Sequence, residues 1–203
     1  MVEIPLFPLK TVLLPGNTLG LKVFEPRYLD MVADCMRENS VFGVVLIHKG
    51  EETAIDADIY SVGTRVAIND WEHRADGLLG ITVLGLDRFE ILSTRTRPGG
   101  LTFAEARILE ESNTLEIPEQ FHYMLELLDH ISAQEGRIRK ADQSFSEILY
   151  QLIFLLPLEA ALKQRLLEIP ECSDRAVILH AELIRLGVIQ YIKPKAANES
   201  TPG

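Results

Sequence analysis

The chain lacks the motifs of the common enzyme classes and metal sites. It has no G-x-x-x-x-G-K-[ST] loop for nucleotide phosphates, no G-x-S-x-G elbow and no H-E-x-x-H pair. It also has no C-x-x-C spacing, which a common zinc site would need. The histidines, and the adjacent carboxylates Glu51-Glu52 and Glu110-Glu111, show no catalytic pattern, and we interpret the carboxylates as solvated loop residues. The sequence therefore predicts no catalytic residue, no cofactor and no metal, and we expect a non-enzymatic protein.

Cysteine is scarce, and long apolar runs are absent. Cys35 and Cys172 are the only two cysteines, and both lie in helical patterns, so we interpret them as buried, reduced thiols. The N-terminus has no basic region followed by a long apolar run, which argues against a signal peptide. No stretch reaches the length of a membrane-spanning helix. We expect a soluble, cytoplasmic protein that does not bind membranes.

Basic charge is in deficit. The chain has 30 acidic residues against 20 Lys and Arg, and its formal net charge is −10. Nucleic-acid binding gains affinity when Lys and Arg neutralise phosphates, so this balance argues against a nucleic-acid partner. It favours solubility and a basic partner.

What the chain does contain is two halves of different hydrophobic pattern. Residues 1–112 carry short apolar runs separated by Gly and Pro turns, with one helix from Pro26 to about Glu38, which is typical of a small mixed β-barrel. Residues 113–192 have helical periodicity and predict a bundle of about four helices. Residues 193–203 predict a flexible tail. The expected fold is therefore α+β, a mixed β-barrel with one inserted helix followed by an all-helical bundle.

Three local features make this prediction specific. Residues 6–14 are expected to be extended, as two short strands around Lys10-Thr11. The first helix should bury one stripe, which consists of Tyr28, Val32 and Cys35 together with Leu29, Ala33 and Met36. Ser173 is positioned to cap the last helix.

Trp71 and Arg27 are the first two candidates for contact with a partner. Trp71, the only tryptophan, lies beside the turn at residues 72–77, and it either anchors a peptide or caps the barrel core. Arg27 follows Pro26 at the start of the first helix. It either binds a partner or pairs with a barrel carboxylate such as Asp70 or Asp87.

Arg88 and Arg95 are the other two candidates. Arg95 and Arg97 alternate along one strand, and Arg88 lies nearby in the sequence. The three arginines would form a basic ridge for nucleic acid, or they would shield an exposed strand edge and form ion pairs.

Three proline-punctuated segments in the first 30 residues resemble the start of the Lon N-terminal domain family, which is the substrate-binding part of the ATP-dependent protease La. They are Pro5-Leu6-Phe7-Pro8-Leu9, Leu14-Pro15-Gly16 and Phe24-Glu25-Pro26-Arg27-Tyr28-Leu29. Later segments are similar to the same family: Val62-Gly63-Thr64, Asp87-Arg88-Phe89, Leu156-Pro157-Leu158, Lys163-Gln164, Leu166-Leu167-Glu168 and Arg175. The module also resembles the Lon-like domain of cereblon.

The resemblance implies a PUA-like β-barrel, a helical subdomain, and binding of unfolded polypeptides or protein partners. The chain contains neither the ATPase module nor the Ser–Lys protease domain, so neither activity is carried over, and no catalytic residue is mapped. The leading hypothesis is a non-catalytic peptide-binding module. Its surface is expected at the seam between barrel and helices or along a barrel edge, with strand addition as one mode. The alternative is an RNA-binding PUA-like protein. The oligomeric state stays open.

Overall fold

The computed structural model describes residues 1–52, 54, 57–111, 115–134, 136 and 142–188 and confirms the α+β class. The strands are β1 (Val2–Leu9), β2 (Thr18–Val23), β3 (Phe42–Lys49), β4 (Asp58–Ile59), β5 (Val62–His73), β6 (Leu79–Thr96) and β7 (Thr102–Ile108). The helices are α1 (Pro26–Glu38), α2 (His122–Gln134), α3 (Phe145–Leu155), α4 (Ala160–Glu168) and α5 (Cys172–Arg185), and a 3-10 turn at Glu119–Phe121 leads into α2. The predicted boundary at residue 112 and the predicted tail at 193–203 lie outside the described residues.

Five strands close into a ring, which we call the barrel. Strand β1 pairs antiparallel with β7 and parallel with β3, and the order β7–β6–β5–β3 completes the circuit. The long strand β6 extends beyond this ring, where β2 pairs with its first half. Among the strands of the described residues, β4 pairs only with β3. The first half of β6 and the end of β5 therefore project from the barrel as a β-hairpin, with Gly77 at positive φ (81°) in its turn.

The proline-punctuated opening segment lies between two hydrophobic cores. Phe7 belongs to the cluster in which α1 packs against the strands, and Leu14 packs among the helices. Only the first of the two expected strands forms. In the second segment, the carbonyl of Leu13 accepts a hydrogen bond from the side-chain hydroxyl of Thr64 (2.6 Å) and not from the backbone amide of a neighbouring strand. Gly85 is needed at this contact, since a Cβ there would lie 2.6 Å from the Leu14 carbonyl oxygen. The segment thus joins the barrel to the helices.

Helix α1 begins and ends where the sequence predicts. Pro26 opens it, and Asn39 ends it in a left-handed conformation (φ 49°). Its buried residues are Tyr28, Met31, Val32 and Cys35. The prediction that Leu29, Ala33 and Met36 are also buried is wrong, because at 3.6 residues per turn they lie roughly a quarter of a turn from the buried row. Their exposure leaves an apolar flank on α1.

The four helices of the second half pack on one another and on the barrel. Ser144 caps α3, since its hydroxyl accepts the Glu147 amide while the Glu147 carboxylate accepts the Ser144 amide. Ser173 does not cap α5. The helix begins at Cys172, two residues before the start that a Ser173 cap would give, so Glu171 takes the N-cap position and Ser173 lies within the first turn. Gln164 of α4 donates to the carbonyl of Val62 in β5 (2.9 Å), which ties the helices to the barrel wall.

Candidate functional site

Trp71 lies near the end of β5, on the part that projects from the barrel. Half of its surface is exposed, and it is absent from all three buried clusters, so it does not cap the barrel core. Its indole ring meets the His73 ring edge to face, with 5.7 Å between ring centroids. A large aromatic side chain held this way presents apolar surface to solvent beside a polar strand.

In the part of the chain that the structure describes, the edge of β5 that carries Trp71 has no neighbouring strand. Strand β3 pairs with β5 only as far as Val66, which lies opposite Phe42. Residues 67–73 of β5 pair with β6 on one side, and within the described residues no strand pairs with them on the other. At about 3.3 Å per residue, this open edge is roughly 20 Å long. Such an edge is a ready template for another chain.

The register of the hairpin shows which backbone groups point outward. The Arg74 amide donates to the Leu78 carbonyl (3.0 Å), so that pair faces inward, between the two strands. Antiparallel pairing alternates, so Glu72 also faces β6, whereas the amides of Trp71 and His73 face the open side. The outward Trp71 amide donates to the neighbouring Asp70 carboxylate (2.8 Å). Asp70 therefore caps one donor of the free edge.

A groove runs between this edge and the C-terminal end of α1. Its volume is about 550 Å³, within the range of roughly 300–1,000 Å³ that is usual for ligand sites. It is lined on one side by Cys35, Met36, Asn39, Ser40 and Val41, and on the other by Ala67, Ile68, Asn69, Asp70 and Trp71. Met36 is 42% exposed and Trp71 is 50% exposed, so both rims carry a large apolar side chain. We call this site the Trp71 groove.

The charge around the Trp71 groove is acidic. Asp70 lines it, and Asp34 and Glu38 flank the lining residues of α1. Arg37 donates to both of these α1 carboxylates, at 2.7 Å to Asp34 and 3.4 Å to Glu38. One cation against three anions leaves a net charge of −2 on this set of four residues. A cationic side chain of a partner would be attracted here.

Arg27 lies at the start of α1 and makes contacts within the chain. Its Nε donates to the Glu25 carboxylate (2.9 Å), and an NH group donates to the Gly100 carbonyl (3.1 Å). Glu25 is therefore one carboxylate partner of Arg27, and Asp87, one of the two partners that the sequence suggests, bonds Arg65 at 2.6 Å. Only 8% of the Arg27 side chain is exposed. Its position links the helix start to the turn between β6 and β7.

Arg95 lies at the other end of β6, away from Trp71. Arg95 and Arg97 each bond one oxygen of the Glu3 carboxylate, both at 2.8 Å. The Arg97 guanidinium also stacks on the Phe103 ring, 3.5 Å from its centroid. Arg95 and Arg97 thus form ion pairs, as the second of the two interpretations expects.

Arg88 is buried at the seam between barrel and helices. One NH group donates to the carbonyls of Leu167 and Ile169, both at 3.0 Å, so it bonds the end of α4 and the turn that follows. Its Nε lies 2.9 Å from the Glu111 carboxylate. With 2% of its surface exposed, Arg88 is engaged inside the fold, and the surface proposed below does not include it.

Glu111 is the centre of this seam. Besides Arg88, it contacts the guanidinium of Arg175 (3.1 Å) and the hydroxyls of Ser146 (2.6 Å) and Tyr150. Burial alone would raise the pKa of the Glu111 carboxyl, but the charge of Arg175, the two hydroxyl donors and Arg88 outweigh burial and hold that pKa below its usual range. We call these five residues the seam cluster.

The seam cluster was missed by sequence reasoning, which interpreted Glu110-Glu111 as solvated. One signal was available. Arg175 lies on the same helical row as Leu179 and Leu183, whose pattern predicts burial, and a charged residue on such a row must find a partner. The sequence does not identify that partner. Each of its five residues makes an ion pair or a hydrogen bond with another member, so the arrangement fits a structural role.

The four candidate residues do not meet at one place. Trp71 lies at the open edge, Arg27 at the helix start, Arg95 at the far end of β6 and Arg88 in the seam. Among the described residues, no group of three His, Cys, Asp or Glu side chains is arranged to hold a metal ion. Within the same part of the chain, no helix has the length and apolar character to cross a membrane.

Comparison with known proteins agrees with this fold. The chain is 35% identical to a solved Lon N-terminal domain protein from Xanthomonas campestris, with a TM-score of 0.76, covering 89% of this chain and 98% of that one. The N-terminal domain of Lon protease from the Mycobacterium avium complex shares the fold, with a TM-score of 0.63 and 18% identity over 88% of this chain and 96% of that one.

Curated relatives match over parts of their length. A Lon protease of Parabacteroides distasonis is 26% identical over 85% of this chain and 22% of its own length. The protein cereblon of Gallus gallus is 27% identical over 53% of this chain and 24% of its own length. The chain thus spans about a quarter or less of these two relatives. The family model described as the ATP-dependent protease La (LON) substrate-binding domain matches residues 3–185, and the chain belongs to that family.

Proposed function

We propose that the chain is a non-catalytic module that binds unfolded or extended polypeptides, with Trp71 as the anchor of the binding surface. The observation that carries the proposal is a half-exposed tryptophan on the rim of an open, partly apolar groove in a chain of this family. Aromatic residues of this kind dominate binding energy at protein interfaces. The substrate of a protease is a polypeptide, so the description of the family supports the same class of ligand.

The arrangement of charges supports a polypeptide rather than RNA. Arg88 is buried in the seam, and Arg95 and Arg97 share the carboxylate of Glu3, so the three arginines do not form an unpaired basic ridge on the surface. The net charge of −10 has the same effect at long range.

A cytoplasmic location is part of the proposal. Cys35 and Cys172 are free and buried, and burial raises the pKa of both thiols, which keeps them protonated and unreactive. Two unpaired thiols support a reducing compartment.

Trp71 supplies its own assay, because it is the only tryptophan in the chain. The test polypeptide contains disulfide bonds but no tryptophan. It is used in two forms: the native, disulfide-bonded protein, and a permanently unfolded form whose cysteines are reduced and carboxymethylated. We expect the unfolded form to shift the emission of Trp71 to shorter wavelength and the native form to leave it unchanged. The proposal fails if the unfolded chain binds neither in this titration nor in a label-based assay that does not depend on Trp71.

The proposal that the chain has no catalytic activity is tested separately. After prolonged incubation, the mass spectrum of the bound polypeptide should be unchanged, and added ATP should not be consumed. Cleavage of the polypeptide by purified protein would contradict it.

A Leu92→Ala variant is the matched control in the binding assay, because Leu92 is a comparably exposed apolar residue (47%) of β6 that does not line the groove.

A further inference from the structure

We propose that the Trp71 groove takes an extended polypeptide segment with alternating apolar and basic side chains, which adds as a strand to the open edge of β5 at residues 67–73. The inference rests on the proposed function and gives it a binding mode and a ligand chemistry. Three observations carry it: an unpaired strand edge, apolar side chains on both rims, and a net negative charge.

The backbone of β5 supplies the sequence-independent part of the binding. The amides of Trp71 and His73 face away from β6, together with the carbonyls of the same residues. An added strand would pair with these groups as β3 pairs with β5 up to Val66, so it would continue an existing sheet. Because main-chain hydrogen bonds are common to all polypeptides, this mode suits a module that binds many different sequences.

The side chains that line the Trp71 groove restrict which residues the bound segment contains. In an extended strand, alternate residues point to opposite faces, so one set of its side chains faces the groove. Met36 on α1 and Trp71 on β5 offer apolar contact to that set, and Ile68 is half-buried between the rims. Apolar residues at alternate positions of the ligand therefore match the groove.

Asp70 gives the preference for basic residues. Its carboxylate now accepts the Trp71 amide, which blocks the outward donor that an added strand needs. A Lys or Arg of the incoming segment would pair with this carboxylate, and the Trp71 amide would then donate to a carbonyl of the segment. The number of hydrogen bonds is kept, and one ion pair is gained. The net charge of −2 on Asp34, Arg37, Glu38 and Asp70 acts in the same direction.

The test uses three short labelled peptides measured by fluorescence anisotropy. In the first peptide, every second residue is valine, and the positions between the valines hold lysine or threonine. The second has the same side chains, with methylated amides at alternate positions. The third has glutamate in place of lysine. We expect the second to bind about tenfold or more weakly, because at least two hydrogen bonds are lost. The third should bind several-fold more weakly at low salt, with a difference that shrinks as salt screens the charges.

Two variants and a control complete the design. Trp71→Ala should weaken binding of the first peptide by roughly tenfold or more, since it removes the aromatic anchor. Asp70→Asn keeps an acceptor oxygen for the Trp71 amide and removes the charge, so it should reduce the preference for lysine over glutamate. Leu92→Ala should bind all three peptides as the unchanged protein does.

The outcomes separate this inference from the proposed function. If unfolded polypeptides bind while amide methylation and Trp71→Ala have no effect, strand addition at this groove is wrong and the proposed function stands. If Asp70→Asn leaves the lysine preference intact, the assigned role of Asp70 is wrong. If neither unfolded polypeptides nor peptides bind, the proposed function fails, and the inference fails with it.

Discussion

Replacing Arg175 with methionine should strongly destabilise the protein, because it removes a fully buried guanidinium from the seam cluster. Arg175 donates to the Glu111 carboxylate, the Ser146 hydroxyl and the carbonyls of Leu166 and Ile169. Removing one partner of a buried ion pair typically costs about 3–5 kcal/mol. Glu111 would keep its contact with Arg88 (2.9 Å), so we expect the lower end, ~3 kcal/mol.

Urea denaturation at neutral pH measures this loss. The transition midpoint should fall with an unchanged dependence on urea, and the melting temperature should drop by roughly 6–12 °C for a chain of this size. Arg185→Met is the matched control on the same helix. Its side chain is 70% exposed and pairs with Glu182, so the transition midpoint should stay close to that of the unchanged protein. An Arg175→Met protein within about 1 kcal/mol of the unchanged protein would refute the reasoning. Arg175→Lys, which keeps the charge without the planar fork, should be intermediate.

Two further predictions concern stability. Phe7→Ala should lower the free energy of unfolding by about 3–5 kcal/mol, because it leaves a cavity beside Tyr28, whose ring lies 4.2 Å away; an unchanged melting temperature would show that the opening segment is not part of the core. The folded-state pKa of Glu111 is lowered, so the stability from its ionisation is fully present above the unfolded value of about 4.3 and is lost as pH falls through the folded pKa. The stability difference between the unchanged protein and Glu111→Gln should therefore shrink on acidification in pH-dependent urea titrations, and a constant difference would contradict the assignment.

Features encoded by neighbouring residues were predicted from the sequence. Helix α1 is expected from Pro26 to about Glu38 and has those bounds, and the turn expected beside Trp71 contains Gly77 at positive φ. Each of these signals acts through backbone conformation or capping within a few residues. The failure at Ser173 has the same local scale, since the helix begins after Glu171, two residues earlier than a Ser173 cap predicts.

Features that depend on distant contacts were not predictable. Glu111 meets Ser146 across 35 residues and Arg175 across 64, and no local pattern encodes either contact. The exposure of Trp71 was left open for the same reason. It depends on where β3 stops pairing with β5, opposite Val66, and that register is set by the whole barrel.

The distribution of ion pairs explains how an acidic chain keeps a charged binding surface. Arg65 is held by Asp87, and Arg95 and Arg97 share the carboxylate of Glu3, so each of these basic side chains already has an acidic partner. Asp70, by contrast, accepts only an uncharged backbone amide among the hydrogen bonds that the structure shows. Its charge is therefore available to a ligand.

Removing the negative charge of Asp70 changes the affinities for the two classes of ligand in opposite directions. It weakens attraction for a lysine-bearing peptide, but it reduces repulsion of a phosphate backbone. A single substitution at Asp70 thus shifts the affinities for polypeptide and RNA in opposite directions, which general loss of stability does not do.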